Sequence, residues 1–178
     1  MTTRSLVMGG ALALISGIAG YFGLFDRAPG YIMGRAWDSV TERVGEPNRM
    51  TYSPLINATA RDIVRPSPDL IYSVCPFDLH KAPLRIHAEP VPDHYWSLTI
   101  FDDETNAVYV RSDRDTGGEP IDIIVGRFDQ LGNRNGEKVQ MPGNKGIALI
   151  RVLMKDRGEF DQIDPIRQKS LCEPIKRR

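Results

Sequence analysis

From Ser5 to Phe25 the chain reads SLVMGGALALISGIAGYFGLF, with no acidic, basic or histidine side chain. As a helix this run rises roughly 31 Å, enough to cross a hydrocarbon core about 30 Å thick. The remainder is mixed in polarity and punctuated by turn residues. The sequence therefore predicts one water-facing domain tethered to a lipid bilayer.

Arg4 and the amino terminus precede the apolar run, whereas Asp26 and Arg27 behind it cancel. Positive charge is retained on the cytoplasmic side, so the amino terminus is expected inside and the bulk of the chain in a bacterial periplasm. That is a single-pass protein of the inner membrane. The competing reading is a cleaved signal peptide, with Gly17-Ile18-Ala19 as its small-x-small site. The apolar run continues beyond that site through Tyr21, Phe22, Leu24 and Phe25, and its length favours a retained anchor.

Gly9, Ala13 and Gly17 recur every four residues, and Ser16 and Gly20 form a second small pair beside them. Small residues at this spacing let another helix backbone approach closely in lipid. Glycine and alanine are also frequent in spanning segments for no such reason.

Beyond the anchor, Pro29 and Gly30 are expected to break the chain, and a short amphipathic helix is expected from Gly34 to Val44, stopped by Gly45. Trp37 on that helix reads as a core or interfacial anchor. Pro47, Pro54, Pro66 and Pro68 then predict an irregular connection. Six β-prone runs follow: Leu70 to Leu79, Leu84 to Ala88, Tyr95 to Phe101, Ala107 to Arg111, Ile121 to Val125 and Ile147 to Met154. Trp96, Leu98 and Ile100 alternate with Ser97 and Thr99, the pattern of a strand with one face on a core. Strands this closely spaced predict a mainly β fold, an antiparallel sandwich or partly closed barrel. Phe160 to Leu171 is expected as a closing helix, limited by Pro165. The organisation is thus residues 1–4 cytoplasmic, 5–25 anchor, 26–68 helix and connection, 69–172 periplasmic β-domain and 173–178 basic tail.

Arg65-Pro66-Ser67-Pro68-Asp69-Leu70-Ile71-Tyr72-Ser73, then Phe77-Asp78-Leu79, Pro83, Tyr95-Trp96-Ser97 and Phe101-Asp102, resemble the domain of unknown function 1254 family. The resemblance runs from about Ala60 to Cys172, with Ile150-Arg151-Val152-Leu153 in keeping, and is to a short, membrane-anchored bacterial branch. Larger members carry Asn-Arg-Asp-Thr before the Tyr-Ser pair. Here Ser67, Pro68, Asp69 and Leu70 stand in its place, so only the aspartate remains. The resemblance implies a β-rich extracytoplasmic domain and supplies no reaction.

Candidate chemistry is sparse. Asp69 is placed to fix a turn, and Tyr72 and Tyr95 offer hydroxyls that seek partners when buried. With Trp96 they are the candidate ligand or interface residues. Cys75 and Cys172 are the two cysteines. Outside the cytoplasm their pairing is expected, the alternative being a buried thiol and a loose one. His80, His87 and His94, seven residues apart, read as exposed polar histidines and not as a zinc set. Asp102, Asp103 and Glu104, and separately Asp113 and Asp115, lack the EF-hand spacing and read as turn tips. No nucleophile elbow, metalloprotease, phosphate-loop or haem-attachment motif occurs, so no metal, cofactor or catalytic residue is expected. The formal net charge is +0 and no basic stripe is present, which argues against nucleic acid as a partner. Lys176-Arg177-Arg178 is a small basic tail suited to anionic headgroups or solvent.

The leading expectation is a non-catalytic accessory subunit that presents its β-domain to a larger inner-membrane complex, respiratory, photosynthetic or transport. The alternative is a periplasmic domain that binds a small ligand or processes the envelope through Asp69, Tyr72, Tyr95 and Trp96. An enzyme centred on Asp69, His80 or Asp102 ranks third.

Overall fold

Pro29 does not stop the first helix. In the computed structural model, which describes residues 3–56 and 66–175, one helix α1 runs unbroken over Thr3–Val44. The separate amphipathic helix expected from Gly34 is therefore the far end of α1. Proline costs one hydrogen bond and crowds the carbonyl four residues back. Here the apolar segment before it is long enough to stay helical, and the segment after it is held by packing on the domain. Gly45 does end the helix: at φ +86° it adopts the left-handed conformation and its N–H donates to the Thr41 carbonyl. Arg65 at the head of the family motif, and the Lys176-Arg178 tail, lie outside the described residues.

Among the described residues, nine strands form two sheets. The first orders β1 (Thr51–Tyr52), β2 (Leu70–Asp78), β8 (Lys145–Leu153), β4 (Trp96–Phe101) and β5 (Ala107–Ser112), all antiparallel, with β1 and β5 at its edges. The second orders β7 (Glu137–Gln140), β6 (Ile121–Gly126), β3 (Leu84–Ala88) and β9 (Leu171–Pro174). Its pairs are antiparallel except β6 with β7, which run parallel. Both sheets keep free edges, so no barrel closes. Short helices sit between strands: α2 (Asp113–Thr116), α3 (Phe128–Leu131) and α4 (Phe160–Arg167). The expected closing helix thus ends at Arg167, and Leu171 opens β9 instead, because Leu171–Pro174 pair with β3.

Side chains alternate across each strand, and the inward sets meet in one apolar core. Ile71, Phe77, Leu98, Ile100 and Ile150 from the first sheet pack with Leu84, Ile86, Ile123 and Val125 from the second. Burying a side chain of this size contributes about 1.5–3 kcal/mol each. Gly146 is required by one close approach: a Cβ there would strike the backbone oxygen of Phe101 and the Phe77 ring. Cys75 on β2 and Cys172 on β9 are joined by a disulfide that ties the two sheets together across 97 residues of chain. Constraining a loop of that length in the unfolded chain is worth about 4–5 kcal/mol in the loop-entropy estimate.

Arg167 holds α4 to the first sheet from a buried position. Its Nη1 donates to the Tyr72 carbonyl at 2.9 Å, Nη2 to the Ser53 carbonyl at 2.7 Å and Nε to Asp164 Oδ1 at 2.7 Å. Burial pulls its pKa down, and the Asp164 carboxylate opposes that shift. Burying a cation is tolerated here because its donors are filled.

Candidate functional site

The two halves of α1 have opposite surroundings. From Gly30 onward the helix crosses the outer face of the first sheet. A Cβ on Gly30 would lie 3.7 Å from the Asp103 carbonyl, and Met33, Ala36 and Val40 are buried. Met33 and Ala36 cluster with Ile147, packed against Trp37, Val74 and Phe101. Trp37 fixes the angle: its indole N–H donates to the Phe77 carbonyl at 3.1 Å, and the Lys145 ammonium sits 3.9 Å from its ring centroid. This is both a hydrogen bond and a cation–π contact.

The amino-terminal half touches nothing comparable. Val7 is 68 % exposed, Leu14 67 %, Phe22 60 % and Leu24 73 %. Its apolar window has a mean hydropathy of 1.7 and no buried share, in the one described helix long and apolar enough to cross a membrane. Gly9, Gly17 and Gly20 have open space where a Cβ would stand. With Ala13 and Ser16 they occupy this exposed half of the helix, and among the described residues nothing packs on the small stripe.

The four candidate ligand residues do not converge. Trp96 points into the core at 1 % exposure, whereas Tyr72 lies on the opposite face of the same sheet, across β8. The Tyr72 hydroxyl accepts the Ser67 N–H at 3.0 Å, which steadies the turn before β2. Asp69 is exposed in that turn, and its carbonyl accepts the Met154 N–H at 2.9 Å. The Tyr95 carbonyl accepts the neighbouring Leu153 N–H. Asp69 and Tyr95 thus flank one end of β8. Tyr95, Trp96 and His94 border a shallow cleft of about 490 Å³ with Pro90, Pro92, Asp113 and Gly117, and Asp69 and Tyr72 are not among its lining residues.

Two of the three histidines differ from their expected exposure. His80 is exposed and pairs with Asp78. His87 and His94 are only 18 % and 13 % exposed. His87 Nε2 lies 3.1 Å from Glu89 and its Nδ1 3.5 Å from Asp122. His94 Nδ1 faces the Pro92 carbonyl at 2.7 Å and Nε2 faces Glu159 at 3.2 Å. Glu89 is local to His87, but Asp122 on β6 and Glu159 in the turn before α4 are brought in from distant sequence, and local spacing could not show those pairs. Among the described residues no three histidine, cysteine or carboxylate side chains gather as a metal set. Asp102 is likewise committed to structure: Oδ1 accepts the N–H groups of Glu104 at 2.9 Å and Asn106 at 2.8 Å, closing the β4–β5 hairpin.

Carboxylate pKa values follow these contacts. Asp122 is lowered, first by the hydrogen bonds of Arg85, with desolvation opposing. Glu159 is lowered, first by the Lys155 N–H and further by His94. Tyr109 is pushed up to about 12 by burial, with the Glu137 charge adding to it.

Sequence reasoning missed Arg167. Its one signal was position: Phe160, Ile163 and Arg167 fall on one helix face, so an arginine continued an apolar stripe.

Among solved structures, the VPA0106 protein of Vibrio parahaemolyticus is similar with a TM-score of 0.65 at 13 % identity, over 87 % of this chain and 40 % of that one. An uncharacterised Burkholderia cenocepacia protein gives a TM-score of 0.45 at 18 % identity, over 74 % of this chain and 39 % of that one. The chain therefore spans about 40 % of the Vibrio protein's length, and that likeness concerns the fold alone. No curated protein matches the sequence. The family described as protein of unknown function (DUF1254) matches residues 47–174, from just past α1 to the end of β9. That is most of the chain, and the protein belongs to the DUF1254 family.

Proposed function

We propose that this protein is a non-catalytic accessory subunit of the bacterial inner membrane. The first half of α1 spans the bilayer with its amino terminus in the cytoplasm, and the two-sheet domain stands in the periplasm. One observation carries the reading: the apolar half of α1 is wholly exposed while the next turns of the same helix are docked on the domain. A surface of that size would be costly in water, at roughly 25 cal/mol for each Å² of apolar area. Lipid removes that cost.

The continuity of α1 gives the tether a mechanical role. Docking starts at Gly30, five residues beyond Phe25, or roughly 7.5 Å along the axis. The headgroup layer is of similar depth, so the domain rests against the membrane surface and is held at a fixed height. The disulfide suits an oxidising compartment. Gly9, Ala13 and Gly17, with Ser16 and Gly20 beside them, form the strip on which a helix of the host complex packs.

Gentle detergent extraction of tagged full-length protein from its native membrane tests this. The expected result is co-purification with a larger membrane complex, lost in a Gly9→Leu/Gly17→Leu double variant that still inserts. Recovery of wild type and variant alike as free monomer contradicts the reading.

A further inference from the structure

The outward side of the first sheet carries a polar row that the helix does not explain. Tyr72 stands opposite Arg151, Arg151 opposite Ser97, and Ser97 opposite Ser112. Side chains directly opposed in this way have Cβ atoms about 5 Å apart. In the next row Thr99 lies between Leu149 and Val110, and the Arg151 Nη2 reaches it at 3.3 Å.

This row has unfilled hydrogen-bonding capacity. Ser97 is 1 % exposed and Thr99 3 %. The Ser97 Oγ and the Arg151 Nε are both buried without a hydrogen-bond partner. Among the described residues no carboxylate lies within ion-pair reach of Arg151, although it is half-buried. Unsatisfied buried polar groups are disfavoured and few in native proteins, and a guanidinium is among the most costly to leave unmatched. Arg167, one strand away, shows the contrast: its Nε, Nη1 and Nη2 all have protein acceptors.

What would complete the row is an acceptor with several oxygens and negative charge. A carboxylate or phosphate takes two parallel N–H bonds from one guanidinium edge and one O–H bond from each flanking hydroxyl. We propose that Arg151, Ser97 and Thr99 form a binding site for a small oxyanion, a carboxylate or a phosphate group. Arg151 is the partly exposed member of the row, so a ligand would reach the site from its side. Tyr72 lends a further donor, because its oxygen accepts from Ser67 and its own proton remains free. Asp115, beyond Ser112 at the end of the row, is engaged by the Ser112 N–H and hydroxyl at 2.8 and 2.9 Å. Leu149 and Val110 border the row, the latter exposed, and suit a ligand whose charged group carries a short apolar body.

The group could arrive free in solution or on a lipid headgroup, and the test separates these. Full-length protein in phosphatidylcholine nanodiscs is titrated with inorganic phosphate and with acetate, and is separately placed in nanodiscs containing phosphatidic acid. Binding is read by calorimetry and by the rise of the thermal midpoint. The expected result is a saturable response in wild type, weakened about tenfold or more in Arg151→Gln and several-fold in Ser97→Ala, with Arg114→Gln unchanged. A response to soluble phosphate or acetate marks a free ligand, and one confined to phosphatidic acid marks a headgroup. No response to any probe, or an equal response in Arg151→Gln, overturns the site. If Arg151→Gln fails to fold, Ser97→Ala decides: wild-type binding in that variant equally overturns it. Because the readout is anion binding and not complex formation, its failure is distinct from failure of the anchoring reading.

Discussion

Two glycines on one side of the domain separate a fixed contact from a yielding one. A Cβ at Gly146 would meet backbone and a buried aromatic ring, neither of which can move without disturbing β4 or the core. A Cβ at Gly143 would first meet the Asp103 carboxylate, the end of an exposed side chain. Gly146→Ala is therefore expected to destabilise the domain by about 2–3 kcal/mol, as overpacking does, and Gly143→Ala by well under about 1 kcal/mol. Thermal midpoints of the two variants check this. Equal midpoints would show that the β4–β8 contact is looser than described. Charge acts at the same scale. Asp122 has a lowered folded-state pKa, first because of the Arg85 hydrogen bonds, so it favours folding above the ordinary carboxylate range near pH 4. That contribution is lost as pH falls through the lowered value. Both partners are nearly half exposed, so solvent screening keeps it below about 1 kcal/mol. Asp122→Asn should flatten the acid limb of a stability-against-pH curve and lower stability slightly near neutrality. An unchanged acid limb would remove Asp122 from the account.

Among the elements, the strands with clear alternation were legible in the sequence. Leu84–Ala88 was read with its observed bounds, and Leu70–Asp78 to within one residue. The segments that escaped notice bury too little to leave a pattern: β7 hides only Val139, β9 only Cys172, and β1 is two residues long. The parallel pairing of β7 with β6 was equally hidden, because it is set by the path through α3 and not by local composition. The Pro29 break failed for a related reason: local propensity lost to the tertiary contacts that hold the helix beyond it. Those contacts centre on Trp37. Trp37→Ala removes the bond to Phe77, the Lys145 contact and much of the buried ring, a loss of about 3 kcal/mol. The expected effect is local release: faster hydrogen exchange and protease cleavage between Gly30 and Gly45, with strand protection retained. Unchanged exchange in α1 would show that Met33, Ala36 and Val40 suffice to dock it.

For the whole molecule, the candidate site was only partly visible in advance. The apolar run and the two cysteines could be read directly, because length, hydropathy and residue type are properties of the sequence itself. The separation of Tyr72 from Trp96 on opposite faces of the first sheet could not, since it depends on strand order and register. The polar row at Arg151 joins four strands whose order in the sheet no local pattern encodes. What unites these scales is a single long helix with one half bare and the other clamped to a disulfide-tied domain, the basis of the proposal that the chain is anchored in a membrane. The most direct test is to wash native membranes with alkaline carbonate and then apply a membrane-impermeant protease to intact spheroplasts. The account predicts that full-length protein stays with the membrane and that its domain is digested from outside, leaving a short protected anchor. Release of the protein by carbonate, or a domain shielded until the spheroplasts are broken, would contradict it.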